Sequence, residues 1–199
     1  MASTAPKKRT RQSGAATEAA QSVERIVLTG FMGSGKSTVG RSLAQRLDWR
    51  FFDLDHLIER HAGRAVSRIF AESGEAVFRA IETDVLISSL SESRLVLALG
   101  GGALETQANR HALARASQTH TVLLTASFEV LYTRCQQQIV AANSLLPVRP
   151  LLGDRETAAA RLARRDANYR KMANLILDTT SQEPEESVEA LLALLNGVL

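Results

Sequence analysis

Short apolar runs recur along the chain at Ile26–Thr29, Phe51–Leu54, Leu95–Leu99, Thr121–Thr125 and Leu175–Leu177. In each run consecutive rather than alternate positions are apolar, the pattern of strands covered on both faces in a parallel sheet. Between and after them the spacing turns helical. It predicts helices over Lys36–Leu47, Asp55–His61, Glu75–Leu90, Gln107–Ala116, Phe128–Ala141, Arg155–Lys171 and Glu185–Leu195. Strands alternating with helices in this way imply an α/β protein: three layers, α/β/α, around a five-stranded parallel sheet. No internal repeat interrupts the pattern.

Residues 1–24 stand apart. They are rich in Ala, Ser, Thr and basic residues and almost devoid of large apolar side chains. Such a segment buries too little surface to offset its ordering entropy, so a disordered basic tail is expected, with residues 25–199 forming the domain. It lacks the apolar core of a secretory signal; organelle targeting and a nucleic-acid contact through the KKRTR run are the alternatives. Lys7, Lys8, Arg9 and Arg11 against Glu18 and Glu24 account for two of the three net positive charges, leaving the body near neutral. A body of that charge is not a nucleic-acid-binding surface, and no nucleic-acid partner is expected. No run reaches the roughly 18 apolar residues of a membrane span. The single cysteine, Cys135, excludes an internal disulfide and is compatible with the cytoplasm. His56 and His61 are five apart, which does not make a metal-binding pair on one helix face.

The strongest chemical signal is Gly30-Phe31-Met32-Gly33-Ser34-Gly35-Lys36-Ser37, a full match to G-x-x-x-x-G-K-[ST] between a predicted strand and a predicted helix. Glycines allow the tight turn that points successive backbone N–H groups at phosphates, and the helix N-terminus adds its positive end. Gly33, Ser34, Gly35, Lys36, Ser37 and Thr38 are therefore the expected ATP-binding set. Lys36 supplies charge to the β- and γ-phosphates, and Ser37 supplies an oxygen ligand to one Mg²⁺ ion.

Two further features lie beyond the carboxyl ends of predicted strands, where open parallel sheets bind ligands. Asp53 and Asp55 alternate at the end of the second apolar run and would project to the same side. One would hold a metal-bound water and the other an acceptor hydroxyl; the alternative is that Asp55 only caps the following helix. Gly100-Gly101-Gly102 follows the third run, either as a plain turn or as a place where a ligand meets the main chain. Arg149 sits in the loop Pro147–Gly153, bounded by Pro and Gly, which reads as a lid over the phosphates. Arg79, Arg164 and Arg165 lie on predicted helices and, taken singly, read as surface residues.

As a set, the segments GFMGSGKSTVGRSLA, FFDLD, IFAESGEAVFRAIE, LGGGAL, VRPLLG and RRDANYRKMA resemble shikimate kinase in order and separation, from about Ile26 to the C-terminus. The resemblance implies a P-loop kinase fold and transfer of a phosphoryl group from ATP to the 3-hydroxyl of shikimate by a monomeric enzyme. It assigns Lys36 and Ser37 to phosphates and Mg²⁺, Asp53 to the metal through water, and Asp55 to the acceptor hydroxyl as base. Arg79 and Arg165 would clamp the shikimate carboxylate, with Glu82 positioning Arg79 and the backbone of Gly101 and Gly102 lining the acceptor. Arg149 becomes the lid arginine, in a lid of about 141–155. The stretch Gln136–Leu146 is longer and more apolar than the short charged lid typical of the family. The loop Asp178–Pro184 lacks the basic residue that many members carry there, so adenine packing falls to Arg134. A kinase of another small acid, such as gluconate, and a ligand sensor are the alternatives.

Overall fold

The computed structural model describes residues 22–141, 154–197 and 199. The apolar runs form five strands: β1 (Arg25–Thr29), β2 (Arg50–Asp53), β3 (Leu95–Ala98), β4 (Thr119–Thr125) and β5 (Leu175–Asp178). All neighbours pair in parallel, in the order β2-β3-β1-β4-β5. Among the described residues the connecting helices are α1 (Lys36–Leu47), α2 (Leu54–Ala62), α3 (Val66–Ser89), α4 (Gln107–Arg115), α5 (Phe128–Ala141), α6 (Arg155–Met172) and α7 (Pro184–Leu195). A short 3₁₀ turn, Ala103–Glu105, precedes α4.

The sheet is apolar at consecutive positions because each face meets its own helix layer. Ile26, Leu28, Val96, Val122 and Leu124 pack with Val39 and Leu43 of α1 and Val188 and Leu191 of α7. Val27, Leu95, Leu97 and Leu123 point the other way, into a cluster with Ile58 of α2 and Ile69, Phe78 and Leu86 of α3. The packed chain begins slightly before Arg25: Val23 is buried and the Glu24 N–H donates to the Gln118 carbonyl.

Two boundaries differ from the sequence expectation. The helix expected to start at Glu75 starts at Val66 and bends at Gly74, whose φ of 78° and ψ of 172° are not helical. Ser73-Gly74 reads as a break, but glycine's tolerance of positive φ lets the helix resume. The rings of Phe70 and Phe78, on either side of the bend, lie 4.5 Å apart between centroids and hold the two halves together. Secondly, β2 gives way to α2 at Leu54, so Asp55 is a helical residue and not the strand partner of Asp53. The expected lid at 141–155, with Arg149, and nearly all of the expected tail fall outside the described residues.

Helix α1 lies close against the sheet because Gly40 faces it. A Cβ there would stand 2.6 Å from Phe51 Cε2 and 2.9 Å from Leu28 Cδ1. This approach sets where the N-terminus of α1, with Lys36 and Ser37, meets the end of β1. Gly40→Ala gains about 1 kcal/mol of helix propensity but overpacks a site where insertion costs typically about 1–3 kcal/mol. A net loss of about 1 kcal/mol is expected, measured as a lower urea midpoint at unchanged m. An equal or higher midpoint would show that Phe51 yields without cost.

Candidate active site

The loop between β1 and α1 turns with positive φ at Gly33 (78°) and Gly35 (88°), and Gly35 is the N-cap of α1. Ser34 is fully buried. Lys36 folds back over the loop, its Nζ donating to the Phe31 carbonyl at 2.9 Å and lying 3.4 Å from Ser34 Oγ. The Ser37 hydroxyl donates to Asp53 Oδ2 at 2.7 Å. Loop, lysine, serine and first aspartate are thus brought together as the sequence predicts. Beside them opens a cleft of about 440 Å³ lined by Gly33, Gly35, Thr38, Arg134, Thr179 and Pro184, among others. Arg134 is fixed there by the Thr179 hydroxyl (3.1 Å), the Thr179 carbonyl (2.9 Å) and the Gln182 carbonyl (3.3 Å). The loop after β5 thus supplies acceptors for an arginine from α5 where it has no basic residue of its own.

Asp53, not Asp55, caps α2. Its Oδ1 accepts from the Asp55 N–H at 3.1 Å while Oδ2 faces Ser37. One carboxylate therefore ties the helix start to the phosphate loop and places Asp55 in the first turn. From there Asp55 reaches the glycine triplet: a Cβ on Gly100 would be 2.8 Å from Asp55 Oδ1.

The triplet is crowded by cations as well. A Cβ on Gly102 would lie 2.7 Å from Arg79 Nη2 and 3.1 Å from Arg165 Nη2. On Gly101 it would lie 3.8 Å from both the Gly30 carbonyl oxygen and the Met32 nitrogen, so the triplet abuts the phosphate loop. The three glycines mark a close approach of side chains to main chain on every side.

Arg79 Nη1 donates to Glu82 Oε2 at 2.8 Å, and Glu75 Oε1 accepts from Arg79 Nη2 at 3.2 Å. Glu82 is 1% exposed. Burial pushes its carboxyl above the usual carboxylate range against the pull of Arg79, and the charge of Asp55 adds to the rise. Burial works against the charge of Arg79, but Glu82 and Glu75 outweigh it and hold the guanidinium above its ordinary value. Asn109, fully buried, supports the pair by donating to Glu82 Oε2 at 3.3 Å and to the Ala103 carbonyl at 2.9 Å. The Thr83 hydroxyl donates to Asn109 Oδ1 at 2.7 Å.

Arg165 is 5% exposed, and Glu105 is its counter-ion, with Oε2 2.6 Å from Arg165 Nη2. Oε1 of the same carboxylate is 2.7 Å from Arg164 Nη2. Burial would raise the Glu105 carboxyl, but the two guanidiniums prevail and hold it below its ordinary value. One turn after Arg165, the buried Tyr169 hydroxyl donates to the Gly101 carbonyl; burial raises its pKa and keeps it a neutral donor.

Sequence reasoning missed Glu105, Asn109 and Tyr169. Tyr169 carries a usable signal, since it follows Arg165 at i+4 on one helix face. Glu105 and Asn109 read as ordinary polar residues of a turn and a helix. Of the residues expected at the site, Arg149 lies outside the described residues. The others gather around the phosphate loop and the triplet, except Arg134, which lines the cleft beside them.

Comparison with known proteins gives one consistent match. A family model described as shikimate kinase matches residues 32–196. The shikimate kinase of Geobacter metallireducens is 41% identical over 182 residues, covering 90% of this chain and 96% of that relative. That of Lactococcus lactis subsp. lactis is 39% identical over 164 residues, covering 82% and 93%. Among solved structures, shikimate kinase from Acinetobacter baumannii in complex with shikimate superposes with a TM-score of 0.78 at 34% identity, covering 88% of this chain and 94% of that one. Shikimate kinase from Bacteroides thetaiotaomicron gives 0.75 at 31% identity, covering 87% and 98%.

Asn109→Ala removes two donors and one acceptor from a fully buried network. A stability loss of about 1–3 kcal/mol is expected from the groups left unpaired. Urea unfolding checks it, and a loss below about 0.5 kcal/mol would mean that water replaces the side chain.

Proposed function

The chain belongs to the shikimate kinase family, and from that premise we propose how its residues divide the transfer of the γ-phosphoryl group of ATP to the 3-hydroxyl of shikimate. The product, shikimate 3-phosphate, belongs to the biosynthesis of aromatic amino acids. The observation that carries the division is the nearness of Gly101 to the phosphate loop, a Cβ there lying 3.8 Å from the Gly30 oxygen and the Met32 nitrogen, with Arg79, Arg165 and Asp55 converging on the same triplet. It supports reading the carboxylate-binding end and the phosphate loop as two walls of one site. A gluconate kinase has no need of this pairing of arginines over three glycines.

Phosphates of ATP lie along Gly33, Ser34, Gly35 and Thr38, with Lys36 neutralising the β- and γ-phosphates and Arg134 packing against adenine in the cleft. The oxygen-only pair Ser37 and Asp53 suits Mg²⁺, with Asp53 acting through a water. Among the described residues no group of three or more His, Cys, Asp and Glu could hold a metal, which fits an ion completed by phosphates and water. When bound, magnesium offsets the charge of the β- and γ-phosphates.

Arg165 and Arg79 bind the shikimate carboxylate, a planar anion matched to guanidinium forks. Glu82 and Asn109 aim Arg79. The backbone of Gly101 and Gly102 lines the ring. Asp55 orients the 3-hydroxyl and accepts its proton as the oxygen attacks the γ-phosphorus and the bond to the β–γ bridging oxygen breaks, releasing ADP. Arg149, on a lid of about 141–155, closes over the phosphates. We assign residues 25–199 to the kinase domain and 1–24 to the tail. We also assign action as a monomer in the cytoplasm, without nucleic acid; the small net charge of the body supports the last of these. No helix among the described residues is long and apolar enough to cross a membrane.

Coupled measurement of ADP release with MgATP and shikimate, and gluconate as control, tests the reading. Rapid shikimate-dependent release is expected; nucleotide binding without turnover would favour a sensor, and faster turnover of gluconate the rival kinase. Asp55→Asn is expected to lower kcat by at least about a hundredfold, and a near-normal kcat would remove the role of base. Arg165→Ala is expected to raise KM for shikimate at least about tenfold by leaving a carboxylate poorly paired. An unchanged KM would take Arg165 out of the acceptor site.

A further inference from the structure

We propose that Glu105 is a built-in placeholder for the acceptor's carboxylate, occupying the arginine clamp until the acceptor displaces it. The inference rests on the assignment of Arg165 and Arg79 to that carboxylate. Glu105 Oε2 lies 2.6 Å from Arg165 Nη2 and 2.8 Å from Arg165 Nε. It lies 4.0 Å from Arg79 Nη2. These Nη2 atoms are the two that flank Gly102. A carboxylate oxygen of the chain itself thus stands where a bound carboxylate would be gripped by both arginines.

The physical reason is the cost of an uncompensated buried cation. Arg165 is 5% exposed, so it needs an anion whether or not an acceptor is present. Glu105 supplies that anion from the 3₁₀ turn, where its N–H donates to the Gly102 carbonyl and holds the turn against the triplet. Its other oxygen is held at 2.7 Å and 3.1 Å by Arg164, whose side chain is 68% exposed. Arg164 is therefore an outer partner. When a substrate carboxylate takes Arg165, Glu105 swings to the rim and keeps one ion pair. The exchange replaces one carboxylate on Arg165 by another, and no buried charge is stranded.

Two consequences follow. Affinity for the acceptor is reduced by the fraction of molecules in which Glu105 holds the clamp. An acceptor without a carboxylate has nothing with which to displace Glu105, so the placeholder selects against neutral ring alcohols.

Steady-state kinetics of the full chain, the variants Glu105→Gln and Arg164→Gln and their combination test this, using shikimate and its neutral carboxamide. Glu105→Gln keeps the shape and removes the charge. Its KM for shikimate is expected to fall about three- to tenfold, as follows if Glu105 holds Arg165 in roughly 70–90% of molecules. The carboxamide should gain at least as much from Glu105→Gln, because the clamp is then vacated for it as well. Arg164→Gln, which removes the outer partner, is expected to raise KM for shikimate, and that rise should disappear in the double variant. A KM for shikimate that is unchanged or higher in folded Glu105→Gln overturns the placeholder and makes Glu105 a support for Arg165. A gain confined to shikimate overturns it too, because removing a nearby negative charge would favour a carboxylate without any displacement. If Glu105→Gln does not fold, Arg164→Gln alone decides: a KM that falls or stays level overturns the proposal. Turnover of shikimate by the wild type separates these failures from failure of the functional reading; without it both fall together.

Discussion

The candidate acceptor end depends on keeping guanidinium groups charged, aimed and largely out of water. Arg165 is nearly buried, and both it and Arg79 are pressed against Gly102. Two cations so placed repel each other and lose hydration, so carboxylates must be brought in with matched geometry. Glu82 serves Arg79, and Glu105 serves Arg165. Asn109 then restrains Glu82, which would otherwise be a buried carboxylate with only one partner. The acidic residues here act mainly on the arginines, and the glycines provide the space in which the arginines can be close to the main chain.

The sheet topology makes that arrangement local to the phosphate loop. Because β3 pairs with β1, the triplet after β3 and the loop after β1 emerge side by side. β2 pairs on the far side of β3, and its last residue still reaches Ser37 through the Asp53 side chain. Asp53 is the joint between the two halves. One oxygen starts α2 and the other meets the second residue of α1, so a single carboxylate ties Asp55 to Ser37.

What was legible in the sequence follows from how far apart the interacting residues lie. The five strands, most helix limits and the phosphate loop depend on neighbours within a few residues, and all were readable. Asp53 and Asp55 were readable as a pair, but not which of them capped the helix. That choice depends on where β2 loses its partner strand, and alternation along a strand does not apply once the chain turns helical at Leu54. The first half of α3 was hidden because Gly74 looks the same in sequence whether it ends a helix or bends one. Arg79 and Arg165 gained meaning only from the order of motifs along the whole chain. Glu105 and Asn109 gained none, because their partners lie many residues away and neither has a local pattern that sets it apart from a solvated side chain.

Helix α6 is held near both of its ends, which bears on how the candidate site seats an acceptor. It grips the triplet twice, through Arg165 with Glu105 and through the Tyr169 hydroxyl on the Gly101 carbonyl. At its other end Asp154 caps it, accepting from the Thr157 N–H at 2.8 Å and the Thr157 hydroxyl at 3.0 Å. Its axis is therefore fixed before any ligand arrives. Arg149 lies five residues before that cap in the chain. Under the proposed roles, an acceptor gripped by Arg165 is held on the helix that follows, in the chain, the segment carrying Arg149. Seating of the carboxylate is then referred to a helix that the protein's own groups already brace at both ends, so the clamp needs no ligand to set its position.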